Sequence, residues 1–144
     1  MGAIFKIYPI WPHALYIYYM PQKIETSQAP APIGPYSQAI LHQNMLWVSG
    51  CIALNPVSGT MEQQNIEVET RQVMENLKAI VENAGSSMSK IVKTTIYLTD
   101  MNQFGLVNEV YGSYLQSPFP ARETVQVSAL PKGAHVEVSC MAVL

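Results

Sequence analysis

"FPARETVQVSALPKGAHVEV", residues 119–138, reads as two strands joined by a turn, and it holds one of the two arginines in the chain. Period 2 over residues 121–129 sends Val125 and Val127 to one face and Arg122, Thr124 and Gln126 to the other, which turns the arginine away from the hydrophobic core. Over residues 135–143, Val136, Val138, Cys140 and Ala142 share a face, while His135, Glu137 and Ser139 point oppositely. "LPKGA" supplies the turn chemistry between them. Should the two strands pair, Arg122 and Glu137 share a polar face, either as a structural ion pair or as parts of a site, and spacing does not choose between these.

Working outward, "KIVKTTIYLTD" (90–100) alternates as a strand, with Val92, Thr94, Ile96 and Leu98 on one face and Lys93, Thr95, Tyr97 and Thr99 on the other. Asp100 is the expected N-cap of a helix whose positions Phe104, Val107, Tyr111, Tyr114 and Leu115 repeat at helical spacing, and "SPFP" ends it. Upstream, "IGPYSQAILHQNMLWVSGCIAL" (33–54) predicts strands at about 37–42 and 45–53 around a tight turn at His42–Asn44. After the turn "NPVSGTM", the residues Ile66, Val73, Leu77, Ile80, Val81 and Ala84 fall on one face of a second helix, with Gly85 at its C-terminal cap. The order strand, strand, helix, strand, helix, strand, strand predicts a mixed sheet with both helices on one face.

The chain has 144 residues, enough for one domain with a real core. Only 12% of them are charged, so much of the surface must be uncharged polar or covered by another subunit. A net charge of −2 and the lack of any Lys/Arg run argue against a nucleic-acid partner. Cys51 and Cys140 have no CxxC or Cys/His spacing, which suits a reducing compartment and buried thiols and points to no metal site. Residues 1–20, "MGAIFKIYPIWPHALYIYYM", are read as an extension outside the domain at 21–144. Pro9 and Pro12 break the apolar stretch, which fits neither a membrane span, nor a secretory signal, nor a transit peptide. Two readings of it stay open: sequence upstream of a natural start at Met20, or an added segment packed on the surface.

Taken in order and spacing, "IGPYSQAI", "VSGCIALNP", "IVKTTIYLTDMNQF" and "FPARETVQVSALPKGAHVEV" resemble the RidA (YjgF-type) family of reactive intermediate deaminases over about residues 23–144. The resemblance implies an α+β, chorismate-mutase-like fold, with a mixed sheet and two helices on one face, and a homotrimer with ligand clefts between subunits; the expected compartment is the cytoplasm, an organelle being the open alternative. It implies hydrolysis of 2-imino acids and their enamine tautomers to 2-oxo acids and ammonia, with no cofactor. Arg122 matches the family arginine that pairs with the substrate carboxylate, a task suited to a planar bidentate guanidinium. Glu137 matches the acidic group that activates water. Tyr36 matches a cleft tyrosine, Thr124 the place where close relatives often have cysteine, and Asn102, Ser49 and Gly50 positions near the cleft. Gly50 would let the chain pass close to a ligand or neighbour. Glu123 departs from the small or apolar residue usual there and is expected to point away from Arg122. The same resemblance also allows a catalytically silent trimer that binds a small carboxylate or serves chaperone-like or translational roles.

Overall fold

A computed structural model describes residues 20–144, so the expectation for the extension falls, apart from Met20, on residues outside those described. Six strands form one sheet: β1 (Gln22–Ile24), β2 (Ala39–His42), β3 (Met45–Cys51), β4 (Ile91–Leu98), β5 (Ala121–Gln126) and β6 (Val136–Val143). Their spatial order is β1-β2-β3-β6-β4-β5. All neighbours are antiparallel except β4 and β5, which makes the sheet mixed, as expected. The β2–β3 hairpin has the predicted partners, with Gln43 at φ 54 in its turn. Strand β1 was not foreseen, because three residues carry no readable period.

Both helices, α1 (Ile66–Asn83) and α2 (Phe104–Ser113), lie on one side of the sheet. Asn65 caps α1 by accepting from the Val68 N–H at 2.8 Å. Gly85, at φ +85, ends it in the left-handed conformation, and the Ser86 N–H closes back to the Val81 carbonyl. Val73, Leu77, Ile80 and Val81 of α1 are buried in one cluster with Leu46, Val48, Ile96, Val136 and Val138 of the sheet. Asp100 caps as expected, but through a one-turn 3-10 helix, Met101–Gln103, that leads into α2.

Two features of the strands differ from the alternating reading. In β4 the register shifts between Ile91 and Lys93, so Ile91 is buried and Val92 is 44% exposed. More consequentially, β5 and β6 do not pair. The crossover through α2 lays β5 parallel to the outer edge of β4, and β6 returns through residues 127–135 to enter between β3 and β4. There β6 satisfies its backbone on both sides, which an edge hairpin with β5 would not do.

Asn76 ties α1 to the segment after β3: its Nδ2 donates to the carbonyls of Ile52 and Leu54, each at 2.9 Å, and the residue is 1% exposed. Asn76→Ala leaves both carbonyls unpartnered in the interior. We expect a loss of about 1–3 kcal/mol in urea unfolding, with the helix content of the folded protein unchanged by circular dichroism.

Candidate active site

The sequence places Glu137 on β6 opposite Tyr97 of β4, on the sheet face turned away from the helices. Its neighbours Val136 and Val138 are fully buried on the other face, so the alternation of β6 holds the carboxylate outward. The side chain lies directly over Gly50. A Cβ at that position would sit 1.9 Å from Glu137 Oε1 and 2.6 Å from its Cδ. The neighbour that Gly50 admits is therefore this carboxylate. Partial burial pushes the Glu137 carboxyl above the ordinary glutamate range, because the charged form loses water.

Around Glu137 is an open depression of about 260 Å³ walled by Ile33, Tyr36, Ser49, Gly50 and Pro131. The Tyr36 hydroxyl accepts from the Ile33 N–H at 3.3 Å, so its own proton remains available to a ligand or water. Ser49 Oγ donates to the Ser37 carbonyl at 2.7 Å and holds the β2 and β3 approaches together. Glu137, Tyr36, Ser49 and Gly50 are thus brought together.

Arg122 sits elsewhere. It is the register partner of Thr94, whose side chain is buried under α2, and so it faces the helix layer; the expectation that it turns away from that side is corrected. The parity of β5 was read properly, but an edge strand has two half-open faces, and Val125, assigned to the core, is 40% exposed. Nor do Arg122 and Glu137 share a face: they lie on opposite sides of the sheet with β4 between their strands, which also removes the structural ion pair.

The guanidinium is held by α2. Its Nη1 donates to Asn108 Oδ1 at 2.7 Å, and its Cζ stands 5.2 Å from the Tyr111 ring centroid and 5.6 Å from that of Phe104. Tyr111 is fixed in turn by a 2.8 Å hydroxyl contact with Thr94. A depression of about 420 Å³ opens here, lined by Asn108, Tyr111, Phe119, Pro120 and Arg122. Thr124 lies on the same side of β5, with a buried Oγ1 that has no partner among the described residues. Asn102 does not join this group; it sits in the 3-10 turn, where its N–H bonds Asp100 Oδ1. Asn108 was missed. Its signal was its place between Phe104 and Tyr111 at offsets of four and three, a polar residue on an aromatic helical stripe.

Other titratable groups fall outside both depressions. Glu123 points away from Arg122, as expected, and pairs with Lys93 on the open face. His135 does not act on Glu137, because it precedes β6 and its ring turns to Glu69 of α1. Burial pushes both thiols up, that of Cys140 to about 12. Among the described residues, no His, Cys, Asp and Glu cluster could hold a metal ion, and no helix is long and apolar enough to cross a membrane.

Residues 26–144 match the family model described as endoribonuclease L-PSP. A mouse protein named 2-iminobutanoate/2-iminopropanoate deaminase is 45% identical over 120 residues, which cover 83% of this chain and 89% of the mouse protein. A RutC family protein of Synechocystis is 48% identical over 123 residues, covering 84% and 95% of the two chains. Among solved structures, a Rid family protein of unknown function from Yersinia pestis superposes with a TM-score of 0.84 at 48% identity, covering 87% of this chain and all of that one. E. coli TdcF with bound serine gives 0.81 at 38% identity, covering 85% and 98%. With the mixed sheet and one-sided helices already in place, these matches put the chain in the endoribonuclease L-PSP family, as a RidA-type member.

Proposed function

We propose that this protein is a hydrolytic deaminase that converts short 2-imino acids and their enamine tautomers, such as 2-aminoacrylate, 2-iminobutanoate and 2-iminopropanoate, to 2-oxo acids and ammonia. The observation that carries the reading is the half-buried Glu137 carboxylate laid over Gly50 beside the Tyr36 hydroxyl. Relatives at 42–46% identity named as such deaminases support it. Glu137 takes a proton from water as its oxygen attacks C2 of the iminium. Glu137 then returns that proton to the carbinolamine nitrogen and takes up the hydroxyl proton as the carbonyl forms and the C–N bond breaks; that proton passes to the departing ammonia, which leaves as ammonium. Tyr36 donates to the water or to the developing hydroxyl. Arg122, presented by Asn108, Phe104 and Tyr111, receives the carboxylate, with Thr124 beside it. Every step uses protein side chains and water, so no cofactor is invoked.

Because Arg122 and Glu137 lie on opposite faces of one chain, the working site combines the Arg122 depression of one subunit with the Glu137 depression of its neighbour. We place three copies around the open sheet face, where Trp47, Met141 and Val125 stand 38–40% exposed. Residues 1–20 lie outside this unit. The endoribonuclease of the family description finds no support in a chain with 8 basic against 10 acidic residues. The reducing compartment is the cytoplasm or an organelle; an Arabidopsis relative at 44% identity is named chloroplastic.

The test couples a pyridoxal-phosphate-dependent dehydratase, which generates the imine in place, to detection of 2-oxo acid and ammonia. Sedimentation at micromolar concentration should return a trimer, and a stable folded monomer with full turnover would sink the shared site. Arg122→Lys should raise KM by roughly 10- to 150-fold, the loss of about 1.5–3 kcal/mol for a charged hydrogen bond. Glu137→Gln should spare KM and lower kcat by roughly 10²–10⁴-fold.

Three further outcomes follow from the geometry around Glu137. Its carboxyl is raised above the ordinary value, so the base form is lost on acidification at a higher pH than for a solvated glutamate. The acid limb of kcat should therefore stand above the normal glutamate range. The same sign means that ionised Glu137 destabilises the fold at neutral pH, and Glu137→Gln should raise Tm there while removing activity. Gly50→Ala should fold, since the end of a flexible side chain can move aside, yet lose most of kcat because the carboxylate is displaced. Unimpaired turnover by Gly50→Ala would show that the placement of Glu137 is immaterial.

A further inference from the structure

Glu69 of α1 is the most buried carboxylate among the described residues, 1% exposed, and the chemistry above makes no use of it. It lies on the helix side of the sheet, where its Oε1 accepts the His135 N–H at 2.6 Å and, more weakly, the Val136 N–H at 3.4 Å. Its Oε2 takes the His135 ring through Nδ1 at 2.8 Å. These are the two residues immediately before Glu137. A buried carboxylate with no Lys or Arg beside it requires its donors to stay in place, since losing them would strand a charge in the interior.

We propose that Glu69 is a positioning residue for Glu137, acting from the opposite side of the sheet by fixing the start of β6. The segment that it anchors, residues 127–135, is irregular, with Lys132 at φ 55 and Gly133 at φ 69, and it carries Pro131, a wall of the Glu137 depression. Three further ties hold it: the Val127 N–H bonds the Leu98 carbonyl at 2.8 Å, Gln63 Nε2 donates to the Gly133 carbonyl at 2.9 Å, and the Thr99 N–H bonds the His135 carbonyl at 3.0 Å. Among the described residues, Glu69 is the side chain that accepts from consecutive backbone N–H groups at the entry to β6, those of His135 and Val136. Since side chains alternate strictly along a strand, holding the N–H groups of 135 and 136 sets the direction in which Glu137 leaves the sheet. Gly50 then fixes how close it lies.

The proposal rests on the deaminase reading only for its kinetic arm, so the experiment has a second readout that needs no substrate. In protein labelled with ¹³C at glutamate carboxyls, the Glu137 resonance is assigned by its loss in Glu137→Gln, and its titration is followed in wild type and variants. In Glu69→Ala the carboxylate should loosen into solvent and titrate lower, towards an ordinary glutamate, with kcat reduced by roughly 10- to 100-fold and KM little changed. Glu69→Gln, which keeps a carbonyl oxygen for the backbone donors, should restore most of both. If Glu69→Ala does not fold, Glu69→Asp carries the test, with the same charge withdrawn by one methylene and a smaller shift in the same direction. A folded variant with lower Tm in which Glu137 titrates as in wild type would overturn the proposal, whatever happens to kcat. Wild-type protein that hydrolyses no imine would overturn the deaminase reading alone.

Discussion

Strand β6, the last in the chain, hydrogen-bonds to β3 on one side and β4 on the other, and the rest of the structure depends on that insertion. It closes two otherwise separate pieces, the β1-β2-β3 meander and the β4–α2–β5 crossover, into one sheet. Its inward residues Val136, Val138, Cys140 and Ala142 complete the surface on which α1 packs. Its outward residue Glu137 meets Gly50 of β3. A single strand thus supplies the centre of the core on one face and, on the other, the carboxylate to which we assign the acid–base role, and strict alternation keeps the two apart. The contacts are far apart in sequence, so the site exists only once the whole sheet has closed.

A chain with few charges uses three of them in costly places. Arg122 stands at the rim of the helix layer, and its guanidinium is confined by two aromatic rings and an amide rather than by a carboxylate. A carboxylate partner within the chain would compete with an anionic ligand; an amide orients the fork and leaves its charge unneutralised. Glu137 bears the opposite cost, half-buried with its ionised form disfavoured, a shift in the direction that suits the proton-accepting role proposed for it. Glu69 is buried outright, and its donors are the backbone of the strand that carries Glu137.

Much of this was legible in the residues. The helical stripes of α1 and α2, the β2–β3 hairpin and the alternation of β4 and β6 follow from periodicities that local sterics impose. Glu137, Tyr36, Ser49 and Gly50 line one depression. Strand adjacency was not legible, because period 2 gives the parity of a strand but neither its neighbours nor, at an edge, which face is covered. That single gap put Arg122 on the wrong side and paired it with Glu137. Asn102 and Asn108 are both exposed polar residues near one helix start, and only the docking of α2 on β5 decides which of them bonds the guanidinium. His135 followed parity on paper, but its strand begins one residue later, and the ring is free to turn towards α1.

The separation of Arg122 from Glu137 bears on why such a small chain would assemble. A sheet one strand-layer thick, with helices on one face only, cannot bring groups from its two faces to one small ligand, since the intervening layer is filled by packed side chains. It can do so by apposing the edge of one copy to the open face of another, and both surfaces are available: β5 is an edge strand, and Trp47, Met141 and Val125 lie uncovered on the same open face as Glu137. Burying those apolar side chains supplies the association energy, while the ligand contacts themselves remain polar and few. In the proposed assembly the carboxylate grip and the water-activating group belong to different chains. Under that proposal the low charge fraction of the sequence and the split site would follow from one arrangement, in which the face a lone sheet would leave wet becomes the interior of the oligomer.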